Sequence, residues 1–157
     1  MPAAKRDHRD GCSVNLGEAG KALIQSYEKC AFVAYKPTPN DVWTLGFGHT
    51  RAVAEGDTCT QEQADAWFVQ DVAWAEECVN RAVTAQVSQE EFDALVSLCF
   101  NIGCPAFSGS TLVKELNAAN YDAASQQFLV WDKQHGQVLA GLSARRRAEQ
   151  ELFNATA

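Results

Sequence analysis

The chain has 157 residues with 46% hydrophobic side chains, four Trp and eight Phe, which suits one domain with an ordinary core and excludes intrinsic disorder. Thirteen basic against twenty acidic side chains give a net charge of −7. That balance argues against nucleic acid as a partner, because phosphate binding draws on clustered Lys and Arg. No apolar run approaches the roughly 20 residues of a membrane span.

The first ten residues lack the apolar stretch of a signal peptide, and 1–14 read as a solvated tail ahead of one domain, 15–157. The first helix is expected from Asn15, with Glu18 three residues on as a reciprocal cap. Leu16, Ala19, Leu23, Ile24 and Tyr27 then keep a helical period, and Glu28 closes the helix. A carboxylate gains nothing from the dipole at that end, where cations are preferred. From Phe32 the residues favour strands: Phe32-Val33-Ala34-Tyr35, a turn Pro37-Thr38-Pro39-Asn40-Asp41, then Val42 to Phe47. This is a hairpin pattern.

Thr60 with Gln63 opens a long helix reaching about Ala85, with Ala64, Phe68, Val72, Ala75 and Val79 on its apolar side. Ser88 with Glu91 opens a third, stopped at Asn101-Ile102-Gly103-Cys104-Pro105. Further helices are expected at 111–119, 121–131 and 142–153. The fold class is α+β and mostly helical: a small hairpin lobe and a helical lobe joined by the long helix, with a cleft between them as the ligand site. Six cysteines (Cys12, Cys30, Cys59, Cys78, Cys99, Cys104) leave both disulfides and buried thiols open, and no pairing is assigned. Their spacing offers no metal site, so no metal or cofactor is expected.

Two groups of residues carry chemistry. Glu28 can donate a proton to a leaving oxygen if burial keeps it protonated. Thr44 stands across the hairpin segment, with Asp41 the one carboxylate of the turn and Thr38 a hydroxyl that could orient water instead. His49 and Asp71 form a second pair: Asp71 shares the apolar face of the long helix and needs a partner. Their role is expected to be structural, pinning the hairpin to that helix.

Val42-Trp43-Thr44-Leu45-Gly46-Phe47-Gly48-His49-Thr50 resembles the Trp-Thr-Ile-Gly-Tyr-Gly-His-Thr segment of phage-type lysozymes, the endolysins of glycoside hydrolase family 24. The resemblance continues through Phe92-Asp93-Ala94-Leu95-Val96-Ser97 with Asn101-Ile102-Gly103, Ser110-Thr111-Leu112 with Leu116-Asn117, and Gly141-Leu142 with Arg145-Arg146 and Glu149. It covers roughly 15–153. It implies a two-lobe lysozyme-like fold and a muramidase that hydrolyses the β-1,4 bond between N-acetylmuramic acid and N-acetylglucosamine. Glu28 then matches the family's catalytic acid and Thr44 the threonine that holds water opposite it. The family's second acid, two residues after the Tyr of Ala-Tyr, is replaced here by Pro37.

Asn101, Ser110 and Arg145 are candidate sugar contacts, with helix capping an equal alternative for Asn101 and Ser110. Trp131 could stack on a sugar, although a core place suits a tryptophan better. For an acidic chain meeting an acidic wall, Arg145 to Arg147 form the visible basic patch. The implied partner is bacterial peptidoglycan, reached by a monomer from the host cytoplasm once a holin-type pore opens. A lytic transglycosylase on the same bond and an inactive peptidoglycan-binding module are the alternatives.

Overall fold

Two glycines and one aspartate set the start of the first helix. In the computed structural model, which describes residues 14–155, α1 spans Glu18–Tyr27. The N–H groups of Gly17 and Gly20 donate to Asp93 at 2.9 and 3.1 Å, and Leu16 N–H donates to Glu76 at 2.6 Å. Carboxylates distant in sequence thus take the capping role expected of Asn15 and Glu18, and the helix begins three residues later than the local pattern indicates. A Cβ on Gly20 would lie 2.5 Å from the Asp93 Cβ, so this approach requires glycine. The Asp93 side chain is buried. Burial pushes its carboxyl above the ordinary range, while the two backbone N–H groups and the Gln89 amide pull it back. Asp93→Ala would strand those donors, and a loss of about 1–3 kcal/mol is expected in denaturant unfolding. A loss below a few tenths would show that water replaces the carboxylate.

The chain divides into two compact units, one of Ile24–Ala73 and one of the residues on either side, the boundaries falling within α1 and within α2 (Gln61–Ala82). The 24–73 unit contains an antiparallel pair, β1 (Cys30–Tyr35) and β2 (Thr44–Phe47), with Ala31 opposite Gly46 and Tyr35 opposite Thr44. The segment before α2 also pairs with β1, through Ala34 N–H to Asp57 O at 2.8 Å and Cys59 N–H to Phe32 O at 3.0 Å. Ile24, Leu45, Phe47, Ala64, Phe68 and Val72 are buried, and Phe47 meets Phe68 edge to face at 5.9 Å. Gly46, at φ 64°, would set a Cβ 3.3 Å from that of Ala64, so its lack of a side chain lets the strand close on the helix.

α2 opens as its capping pattern predicts, with Thr60 Oγ1 accepting from Gln63 N–H at 3.1 Å. It ends at Ala82 rather than near Ala85. Asn117 intervenes, accepting from Thr84 and Ala85 N–H and donating to Ala82 O. α3 (Gln89–Ile102) carries the full Ser88–Glu91 capping box and is buried from Glu91 through Cys99. Around it lie α4 (Cys104–Ser108), α5 (Thr111–Asn117), α6 (Tyr121–Gln127), a 3-10 turn (Phe128–Val130) and α7 (Ala140–Phe153). A second hairpin, β3 (Lys133–Gln134) with β4 (Gln137–Val138), precedes α7.

Neither α4 nor this hairpin follows from the hydrophobic pattern. A disulfide, Cys78–Cys104, ties α2 to α4. Cys30, Cys59 and Cys99 are free thiols, and Cys12 and the expected tail as far as residue 13 lie outside the described residues. Burial pushes the Cys99 thiol up to about 12, which keeps it protonated and inert. No helix of the described residues is long and apolar enough to cross a membrane.

Candidate active site

The 24–73 unit contains five of the eight predicted site residues. Glu28 follows the last residue of α1 and continues its turn, its N–H donating to Ile24 O at 3.1 Å. Its side chain is half-buried. Gly48 stands beside it: a Cβ there would lie 3.8 Å from Glu28 Oε2. Gly48 has φ 77° within a tight reversal closed by reciprocal Leu45–His49 backbone hydrogen bonds of 2.8 and 2.9 Å. The Gly-Phe-Gly sequence is legible as a turn. That its second glycine would face the acid is not, because the contact depends on how β2 meets the end of α1.

Thr44 opens β2 and is buried. Its hydroxyl donates to Val42 O at 3.1 Å, which commits the hydroxyl hydrogen and leaves the oxygen as an acceptor. Asp41 is exposed, and its Oδ2 accepts from both the N–H and the hydroxyl of Thr38, at 3.1 and 2.9 Å. The two turn residues that could orient water are therefore bonded to each other, as aspartates in turns commonly are.

His49 Nδ1 lies 2.7 Å from Asp71 Oδ2, and its side chain is 8% exposed. The ring stacks on Trp67 at 4.4 Å and 9°. Asp71 and Trp67 are four apart on α2, one helical turn. Together they fix the turn after β2 to the helix. The sequence indicates the Asp71 partnership but not the stacking tryptophan.

Asn101, Ser110 and Arg145 belong to the other unit. Ser110 is the N-cap of α5, its Oγ accepting from Val113 N–H at 3.2 Å and donating to Phe107 O at 2.7 Å, so both functions of the hydroxyl are used in capping. Arg145 is 4% exposed, with Nε 3.4 Å from Glu149 Oε2 and Nη2 donating to Ser97 O at 3.3 Å. Asn101 is exposed at the end of α3, and its Oδ1 accepts from Arg146 Nη1 at 3.0 Å. That bond turns its amide nitrogen away from Arg146. Asn101, Ile102, Trp131, Lys133, Gln134 and Leu142 line a pocket of about 370 Å³. Trp131 is thus a half-buried wall residue and not a core one.

Behind the pocket lies a charged cluster. Arg146 and Glu149 are both 0% exposed. Arg146 Nη2 donates to Glu149 Oε2 at 2.9 Å, and Nε comes to 2.6 Å from Oε1 off the N–H axis, a charge contact without an aligned hydrogen bond. The three consecutive arginines split as helical geometry requires: Arg145 and Arg146 turn inward, and Arg147 is exposed. The expected basic patch is mostly internal.

A sequence model of the family described as phage lysozyme matches residues 25–149. The endolysin of Acyrthosiphon pisum secondary endosymbiont phage 1 is 41% identical over 144 residues, covering 89% of this chain and 98% of that one. The endolysin of Bacillus phage B103 is 37% identical over 142 residues, and the match spans 89% of this chain but only 54% of that longer protein. The solved muramidase domain of SpmX from Asticaccaulis excentricus superposes with a TM-score of 0.83 at 38% identity, covering 90% of this chain and 98% of that domain.

Proposed function

The chain belongs to the phage lysozyme family and is a peptidoglycan-cleaving glycosidase of the endolysin type; from that premise we propose that Glu28 is its general acid and Thr44 its water-holding group. The bond cut is the β-1,4 link between N-acetylmuramic acid and N-acetylglucosamine. Glu28 gives its proton to the departing glycosidic oxygen as the C1–O bond breaks. A water on the opposite face of the sugar attacks C1 and passes its proton to the surrounding solvent, which inverts the anomeric centre.

The observation that carries the role of Thr44 is its hydroxyl bond to Val42 O. With its hydrogen committed there, Oγ1 accepts an O–H from water and aims the water's lone pair outward. Gly48 complements this by keeping a side chain away from the Glu28 carboxyl. Asp41 acts through the turn, which its bonds to Thr38 hold closed. Access from the host cytoplasm through a holin-type pore, and action as a monomer, belong to the same reading. Lysis with and without a co-expressed holin, and the mass in solution, test those two points.

Product analysis tests the chemistry. Digestion of purified peptidoglycan is expected to leave reducing muramic ends, whereas anhydro ends would reassign the enzyme to lytic transglycosylation. Thr44→Ala is expected to lower kcat about a hundredfold, and Asp41→Asn less than about tenfold. A loss in Asp41→Asn as large as that in Glu28→Gln would make Asp41 the second catalytic acid.

A further inference from the structure

Acidic residues outnumber basic ones by twenty to thirteen in this chain, yet two lysines of the hairpin rest on aromatic rings. Lys29 Nζ lies 4.2 Å from the centroid of Tyr35, and Lys36 Nζ 5.2 Å from that of Trp43. Both lysines are exposed, and among the described residues neither is joined to a carboxylate. An ammonium held over a ring face is fixed in place without spending its N–H donors on an anion. Its charge remains available.

The two pairs are not equivalent. Tyr35 lies directly opposite Thr44 in the β1–β2 register, and opposed residues project from the same face of a sheet. Lys36 and Trp43 each lie one residue beyond the strand ends, outside the paired register. Of the two pairs, only Lys29–Tyr35 is tied to Thr44 by the strand register, and Lys29 is the chain neighbour of Glu28. We propose that Lys29, steadied by the Tyr35 ring, is a specificity residue that binds a carboxylate of the stem peptide on the muramic acid being processed.

This inference rests on the lysozyme reading and supplies what the net charge otherwise withholds. A chain of charge −7 approaching a carboxylate-rich polymer is repelled at long range, and a cation beside the reacting groups offsets that repulsion where the strand must sit. Lys36 provides an internal control, with the same chemistry on a ring outside that register.

The test uses purified sacculi, intact and after carbodiimide amidation of their carboxylates, with the wild-type protein, Lys29→Gln, Lys29→Arg and Lys36→Gln. Co-sedimentation reports binding, and solubilisation kinetics report turnover. Lys29→Gln is expected to weaken binding and raise KM about fivefold on intact sacculi, near the ceiling for one exposed ion pair, with kcat unchanged. The difference should vanish on amidated sacculi and shrink with added salt. Lys29→Arg should restore it, and Lys36→Gln should match the wild type.

A Lys29→Gln deficit that persists on amidated sacculi, or no deficit on either, overturns the proposal. So does an equal loss in Lys36→Gln, which would indicate general attraction. Lys29-dependent sedimentation without solubilisation by the wild type would instead sink the hydrolase reading and leave the carboxylate contact standing.

Discussion

Glu28→Gln is expected to lower peptidoglycan clearing by about a hundred- to ten-thousand-fold, the usual contribution of a positioned general acid. The replacement keeps the size and shape of the side chain and removes its acidic proton. A glycosidic oxygen is a poor leaving group without that proton, so the loss should fall on kcat. The surroundings support the choice of atom. Glu28 is held by its backbone at the end of α1, and the nearest atom to a Cβ at Gly48 is its Oε2. The check is solubilisation of purified peptidoglycan by the variant, with its circular dichroism compared to that of the wild type. A folded variant that still clears at the native rate would mean that another group supplies the proton. A variant that binds sacculi as before but releases nothing would place the loss in the chemical step.

Local rules describe much of this chain, and they fail where distant groups take over. The capping pairs Thr60–Gln63 and Ser88–Glu91 are readable because each satisfies helix donors with a residue three positions away. The start of α1 is misread because Asp93, on α3, supplies its cap. The end of α2 is misread in the same way, since Asn117 ties down the chain after Ala82. The second hairpin is missed because its turn is His135-Gly136, both at positive φ (52° and 79°). Asn-Gly or Asp-Gly at those positions is the signal that local reading recognises.

The site divides along the same line. Thr44 and His49 stand out from a contiguous motif, Glu28 from its place at the end of the first helix, and Asp71 from its place on an apolar helix face. Gly48 beside the acid, Trp67 under His49 and the Lys29–Tyr35 pair depend on how separate segments meet. Asp41 is the one acid left in a turn whose family position for an acid holds Pro37. Its carboxylate proves to be bonded to Thr38, a contact that spacing alone does not reveal.

The largest effect on stability is expected at Glu149, where alanine should cost about 3–5 kcal/mol, the range for removing one partner of a buried ion pair. Arg146 would then keep a guanidinium that is 0% exposed with its principal counter-charge gone, and the Ser97 hydroxyl and Arg145 would lose a shared acceptor. The loss would also reach Asn101, whose amide Arg146 orients. Burial pushes the Glu149 carboxyl up, while Arg146, the Ser97 hydroxyl and Arg145 pull it back. A carboxyl whose folded value stands above its unfolded one binds its proton more tightly in the folded chain. Its contribution is therefore whole below the ordinary value of 4.5 and declines as pH rises through the raised value. Glu149→Gln should remove that part of the pH slope while still lowering stability. Arg146→Met with Glu149→Leu should cost less than the two single changes added, by about 0.5–3 kcal/mol, because neither charge is left stranded. Urea unfolding of the wild type, Glu149→Ala, Glu149→Gln, Arg146→Met, Glu149→Leu and the double variant across pH tests this. Additive losses would show that the two side chains act independently, and a loss below about 1 kcal/mol in Glu149→Ala would mean that water reaches Arg146 once the carboxylate is gone.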